Sequence, residues 1–79
     1  MPRVTVTVRD TEGSPSPGRR VALRVAKLGS PKTYEAGHTD DSGQAMFEVG
    51  NEEFGSVYVD GVACALWNAA TNPNVDVNL

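Results

Sequence analysis

Apolar residues fall on every second position along most of this chain, and no window carries a 3.6-residue period. Side chains of a strand alternate between two faces, whereas a helix brings a face round every 3.6 residues, so the pattern predicts sheet and no helix. Arg3–Arg9 (RVTVTVR) puts Val4, Val6 and Val8 on one face and Arg3, Thr5, Thr7 and Arg9 on the other. A strand of this kind is half buried and must lay its valines against a second layer.

The same reading gives six further strands. RRVALRVAKL points Val21, Leu23 and Val25 inward and Arg20 and Arg24 outward. TYEAG, residues 33–37, is a weaker third strand, set off by the GSPK break at 29–32. QAMFEV sends Ala45, Phe47 and Val49 to one side. SVYVDGVACALW is a hairpin whose Asp60-Gly61 pair suits a two-residue type I′ turn, because both central residues there need positive φ. NVDVNL closes the chain with Val75, Val77 and Leu79 in phase. DTEGSPSPG, residues 10–18, is too rich in glycine and proline to carry a ladder and must be a connection. Seven short strands without a helix predict a Greek-key β-sandwich spanning residues 1–79 as a single domain.

Between the third and fourth strands lies HTDDSG, where two adjacent aspartates raise the question of a metal or acid pair. A calcium ion takes six to eight oxygens spread along a longer loop. Here Asp40 and Ser42 are placed to accept hydrogen bonds from amides two residues on, and Gly43 to adopt the left-handed conformation that closes a turn. The segment reads as a turn. His38 has no Cys or His companion at ligand spacing, Ser42 and Ser56 have no histidine to activate them, and Cys64 alternates with Val62 and Leu66 as a small buried hydrophobe would. The expectation is a protein with no catalytic residues, no metal and no cofactor.

Charge narrows the partners. The first 32 residues hold all seven Lys and Arg against two acids, a formal +5, and the remainder holds eight acids and no Lys or Arg, a formal −8. Strand pairing is expected to interleave the two signs; left apart, they would favour head-to-tail contact. The net charge of −3, with no aromatic among the basic residues, argues against nucleic acid. No apolar run approaches the roughly 20 residues of a membrane-spanning helix. One cysteine excludes an internal disulfide. MPRVTVTVRD is not a signal peptide, so an exported protein of this sequence would have lost its leader or been part of a longer chain, and localisation stays open.

The hairpin breaks the pattern of the other strands. The two-residue Asp60-Gly61 turn makes Val59 face Val62, so that Val57, Val59, Val62, Cys64 and Leu66 share one face, and Phe54, Ser56, Tyr58, Ala63, Ala65 and Trp67 the other. Both faces are apolar. With the β-branched face in the core, Phe54, Tyr58 and Trp67 form an exposed aromatic platform suited to another protein, a second copy or a sugar ring, unless the chain's own loops cover it. On this reading Trp67→Ala or Tyr58→Glu spares the fold and abolishes self-association.

The order VTVTVRDTEGSPSPGRRVAL, HTDDSGQAMFEV, GSVYVDG, NVDVNL resembles the carboxypeptidase regulatory-like domain, a transthyretin-type (prealbumin-like) sandwich. The resemblance is carried by Val6, Val8, Asp10, Gly13, Gly18, Val21, Leu23, Thr39, Asp40, Gly43, Phe47, Gly55, Val57 and Val59, with the family's proline displaced to Pro15 and a second at Pro17. TDDSGQA is also similar to a phrase of invasin-type immunoglobulin-like adhesin repeats. The first resemblance implies a non-catalytic accessory module, found beside enzymes, transporters or adhesins and extracellular or on the cell surface when part of an exported parent. Related sandwiches with activity differ here. The transthyretin-like hydrolase ends Tyr-Arg-Gly-Ser where this chain ends VDVNL, and pilin-type isopeptide modules need a first-strand lysine where this chain has Arg3 and Arg9. Function is therefore expected in protein association or structural support, with a carbohydrate-binding module or an adhesin repeat as the alternatives.

Overall fold

In the computed structural model, which describes residues 2–26, 32–34 and 37–79, alternation becomes strand order. The elements are β1 (Arg3–Arg9), β2 (Arg20–Val25), β3 (Lys32–Thr33), β4 (Gly37–His38), β5 (Gln44–Glu48), β6 (Phe54–Val59), β7 (Val62–Asn68) and β8 (Asn74–Asn78), and no helix occurs among the described residues. They form two sheets. One runs β5-β1-β8; the other runs β3-β2-β6-β7, with β4 also on β2.

β1 is the axis of the first sheet. It lies antiparallel to β5, so that Val4 faces Phe47 and Val6 faces Ala45. It lies parallel to β8, so that Val6 faces Val75 and Val8 faces Val77. In the second sheet β2 and β6 pair antiparallel, with Val21 opposite Val59 and Leu23 opposite Val57. The inner faces meet in one core of Val4, Val6, Val8, Ala45, Phe47, Val49, Val75 and Val77 against Val21, Leu23, Val25, Val57, Val59 and Trp67. Valine dominates it; a side chain already stiff at χ1 loses little freedom on packing, which favours a thin core.

The weak third strand is resolved differently from its expectation. Instead of one strand over 33–37, two-residue segments β3 and β4 both pair with the outer edge of β2, Arg24 opposite Thr33 and Arg20 opposite His38. Residues 35–36 between them, and 29–31 of the GSPK break, lie outside the described residues.

The aspartate turns appear twice in the same form. Asp40 Oδ1 accepts from the Ser42 and Gln44 amides at 2.8 and 3.1 Å, and the Gly43 amide donates to the Asp40 carbonyl at 2.9 Å. Asp10 Oδ1 accepts from the Glu12 and Ser14 amides at 2.9 and 3.0 Å, and the Gly13 amide donates to the Asp10 carbonyl at 3.1 Å. The two turns lie side by side, because the Val8 amide donates to the Gly43 carbonyl at 2.7 Å and the Ser16 amide to the Val8 carbonyl at 2.9 Å. Gly43 has φ +74°, and a Cβ there would sit 2.6 Å from the Val8 oxygen. Thr39 is buried between the connections, its hydroxyl donating to the Ser16 carbonyl at 2.7 Å and accepting from the Arg19 amide at 2.9 Å.

Candidate functional site

The hairpin turn has the expected geometry, with φ of 52° at Asp60 and 85° at Gly61. Its ladder begins in the expected register, Val59 opposite Val62 and Tyr58 opposite Ala63. It then slips. Val57 faces Ala65, Ser56 faces Leu66, Gly55 faces Trp67 and Phe54 faces Asn68, with a bulge that leaves Cys64 as the extra residue. One residue of slip moves every following side chain to the opposite face.

This corrects the predicted platform. Trp67 is in the core at 2% exposure, while Leu66, expected inside, is outside at 71%. The bulged register wins because burying an indole of roughly 150–250 Å² is worth about 4–6 kcal/mol, against about 1.5–3 kcal/mol for leucine. Trp67→Ala is therefore no longer a probe that spares the fold. Cys64 is also corrected: it is exposed, with Sγ 3.2 Å from the Val62 carbonyl, not a buried hydrophobe. Phe54 and Tyr58 do face outward, half exposed and partly covered respectively.

Gly55 makes room for the neighbouring backbone of Arg24 and Ala26. Trp67 Nε1 donates to the Arg24 carbonyl at 3.2 Å, and a Cβ on Gly55 would lie 1.7 Å from that same oxygen. Against the indole stands Tyr34, edge-on at 70° with ring centroids 6.5 Å apart. Its hydroxyl donates to Glu53, which also accepts from the Gly50 amide at 2.6 Å, and Lys32 Nζ lies 4.5 Å from the Tyr34 ring centroid. Burial, then the hydrogen bond to Glu53 and its charge, hold the Tyr34 phenol above its ordinary range.

The outer face of the second sheet now reads, row by row, Ala22–Tyr58–Ala63 and Arg24–Ser56–Leu66, with Phe54 beyond. Phe54 at 50% and Leu66 at 71% exposure stand on either side of a surface groove of about 350 Å³, which Ala26, Gly55, Ser56, Trp67, Asn68 and Asn72 complete. Val62, at 63% exposure, is opposite the core residue Val59 and so lies on the other face of the sheet, at the edge of the sandwich. Asp60, the hairpin's one charge, is held by Arg19 Nη1 at 3.0 Å and by the Arg20 amide at 3.3 Å. Strand pairing brings opposite signs together at Arg3 and Glu48, while Arg9, Arg20 and Arg24 pair with Asn78, His38 and Ser56.

His38 is exposed opposite Arg20, and among the described residues no three His, Cys, Asp or Glu side chains gather as metal ligands. Among the described residues no helix is long and apolar enough to cross a membrane. Leu66 and the Tyr34–Glu53 tie are what sequence reasoning missed. The signal for the first was Gly55, a glycine inside a strand pattern, which marks a close approach or an irregular ladder. No protein-family model matches the chain, and no curated protein matches it.

Proposed function

We propose that this chain is a non-catalytic β-sandwich module that associates with protein through the outer face of its second sheet. The observation that carries the reading is that Phe54 and Leu66, both large and both exposed, line one groove on a face that also holds Ala22, Ser56, Tyr58 and Ala63, with Arg20 and Arg24 on its β2 side. An outward sheet face is ordinarily wetted, and contiguous apolar surface with depleted charge is the character of interface cores. The prealbumin-like, Greek-key reading of the fold draws support from the strand orders β5-β1-β8 and β3-β2-β6-β7 and from the parallel β1–β8 pair. An accessory module of the carboxypeptidase regulatory-like kind fits that arrangement. A carbohydrate platform would rest on Phe54 and Tyr58 alone, since Trp67 contributes no flat exposed ring.

Sedimentation over a range of concentrations tests the reading. The wild type is expected to self-associate, and Phe54→Ser with Leu66→Ser to be monomeric with an unchanged circular dichroism spectrum. A wild type that stays monomeric throughout would contradict it.

A further inference from the structure

We infer that copies of this chain associate head to tail, the outer face of the second sheet on one molecule receiving β5, an edge strand of the first sheet, from the next. The inference rests on the association reading above and names the surface that the face meets.

Charge excludes the face as its own partner. Arg20 and Arg24 are exposed on it, and no acid among the described residues pairs with either. The nearby Asp60 is already held by Arg19. Two copies packed face on face would offer these arginines no free carboxylate, wherever the axis lay.

The complementary surface is on the first sheet. β5 lies at its edge, and alternation turns Gln44, Met46 and Glu48 outward. Met46 is 57% exposed, the most exposed large apolar side chain of that sheet, and exposed Glu48 stands beside it on the same face. Arg3 lies opposite Glu48 in the ladder but closes no ion pair with it. The other charges of this face, Arg9 and Asp76, are on β1 and β8, away from the β5 edge.

The spacings agree. Arg24, Ser56 and Leu66 form one row across β2, β6 and β7, so Arg24 and Leu66 are about 9–10 Å apart. Met46 and Glu48, two residues apart on one strand, are separated by roughly 6.5–7 Å. The length of an arginine side chain covers the difference. With β5 laid across the second sheet, as in orthogonal sheet packing, Met46 enters the groove beside Leu66 and Phe54 while Glu48 meets Arg24. The two surfaces differ, so the contact is heterologous and adds copies in line.

Charge reversal tests this. Wild-type mass in sedimentation should keep rising with concentration beyond the dimer. Arg24→Glu and Glu48→Arg, both at exposed positions, should each keep the wild-type circular dichroism spectrum and weaken association by about tenfold or more. Mixing the two variants should restore it, because each then meets its opposite charge, and so should the double variant. If the wild type associates but stops at two copies, or Glu48→Arg leaves association unchanged, the head-to-tail contact is overturned while association through the outer face stands. A wild type monomeric at every concentration removes both.

Discussion

A methyl group on Gly55 would lie 1.7 Å from the Arg24 carbonyl oxygen and 2.9 Å from the Ala26 amide nitrogen. Both atoms are backbone, so neither can step aside as a flexible side chain would. Trp67 pairs opposite Gly55 and donates its indole hydrogen to the same Arg24 oxygen, so the largest core side chain and the smallest residue form one unit. Gly55→Ala is expected to destabilise the protein by about 3 kcal/mol or more, well beyond the ±0.5 kcal/mol of an ordinary surface substitution. Urea denaturation measures this, and a loss under 1 kcal/mol would show that the Arg24 and Ala26 backbone can draw back from that position.

At the scale of elements, the decisive feature is a single extra residue in β7. Deleting Cys64 should regularise the ladder while leaving Trp67 opposite Gly55 and Leu66 outside, because the bulge contributes one residue and no core side chain. The expected outcome is a folded protein within about 1 kcal/mol of the wild type by denaturant unfolding. Failure to fold would mean that the bulge itself shapes the sheet.

The strands themselves were legible because each valine of β1 has a polar residue on both sides and each valine of β2 an arginine before it, which fixes its face. The Asp60-Gly61 turn was legible because its residue types tolerate positive φ. The bulge was not, because Ala63, Cys64 and Ala65 are small enough to sit on either side at little cost, and only the distant Trp67 decides between registers. Thr39 was read as part of a turn, and its burial depends on Ser16 and Arg19, some twenty residues away in sequence. Of the predicted platform, Phe54 and Tyr58 were placed on the outward face, and Trp67 was not.

For the whole molecule, two small sheets share one core without a disulfide, and the fold closes tightly. The radius of gyration is 11.8 Å, against roughly 11.6 Å expected for a compact domain of this length. The ties across the ends of the sandwich matter accordingly. Tyr34, held neutral by burial and then by Glu53, fastens the segment beside β3 to the loop that precedes β6. Its folded pKa lies above the unfolded value of 10.0, so this contribution is full below that pH and is lost as pH rises through the folded value. Stability should therefore fall in alkali, and Glu53→Gln should bring the phenol's absorbance titration back toward its ordinary range. An unchanged titration in that variant would remove Glu53 as a cause.

The register of β7 governs both the core and the surface proposed for association, and the accessibility of Trp67 reports it directly. In the wild type at low concentration, tryptophan emission should be blue-shifted and almost untouched by iodide. Emission at the position of free tryptophan, readily quenched by iodide in the folded protein, would place the indole outside and contradict the bulged register.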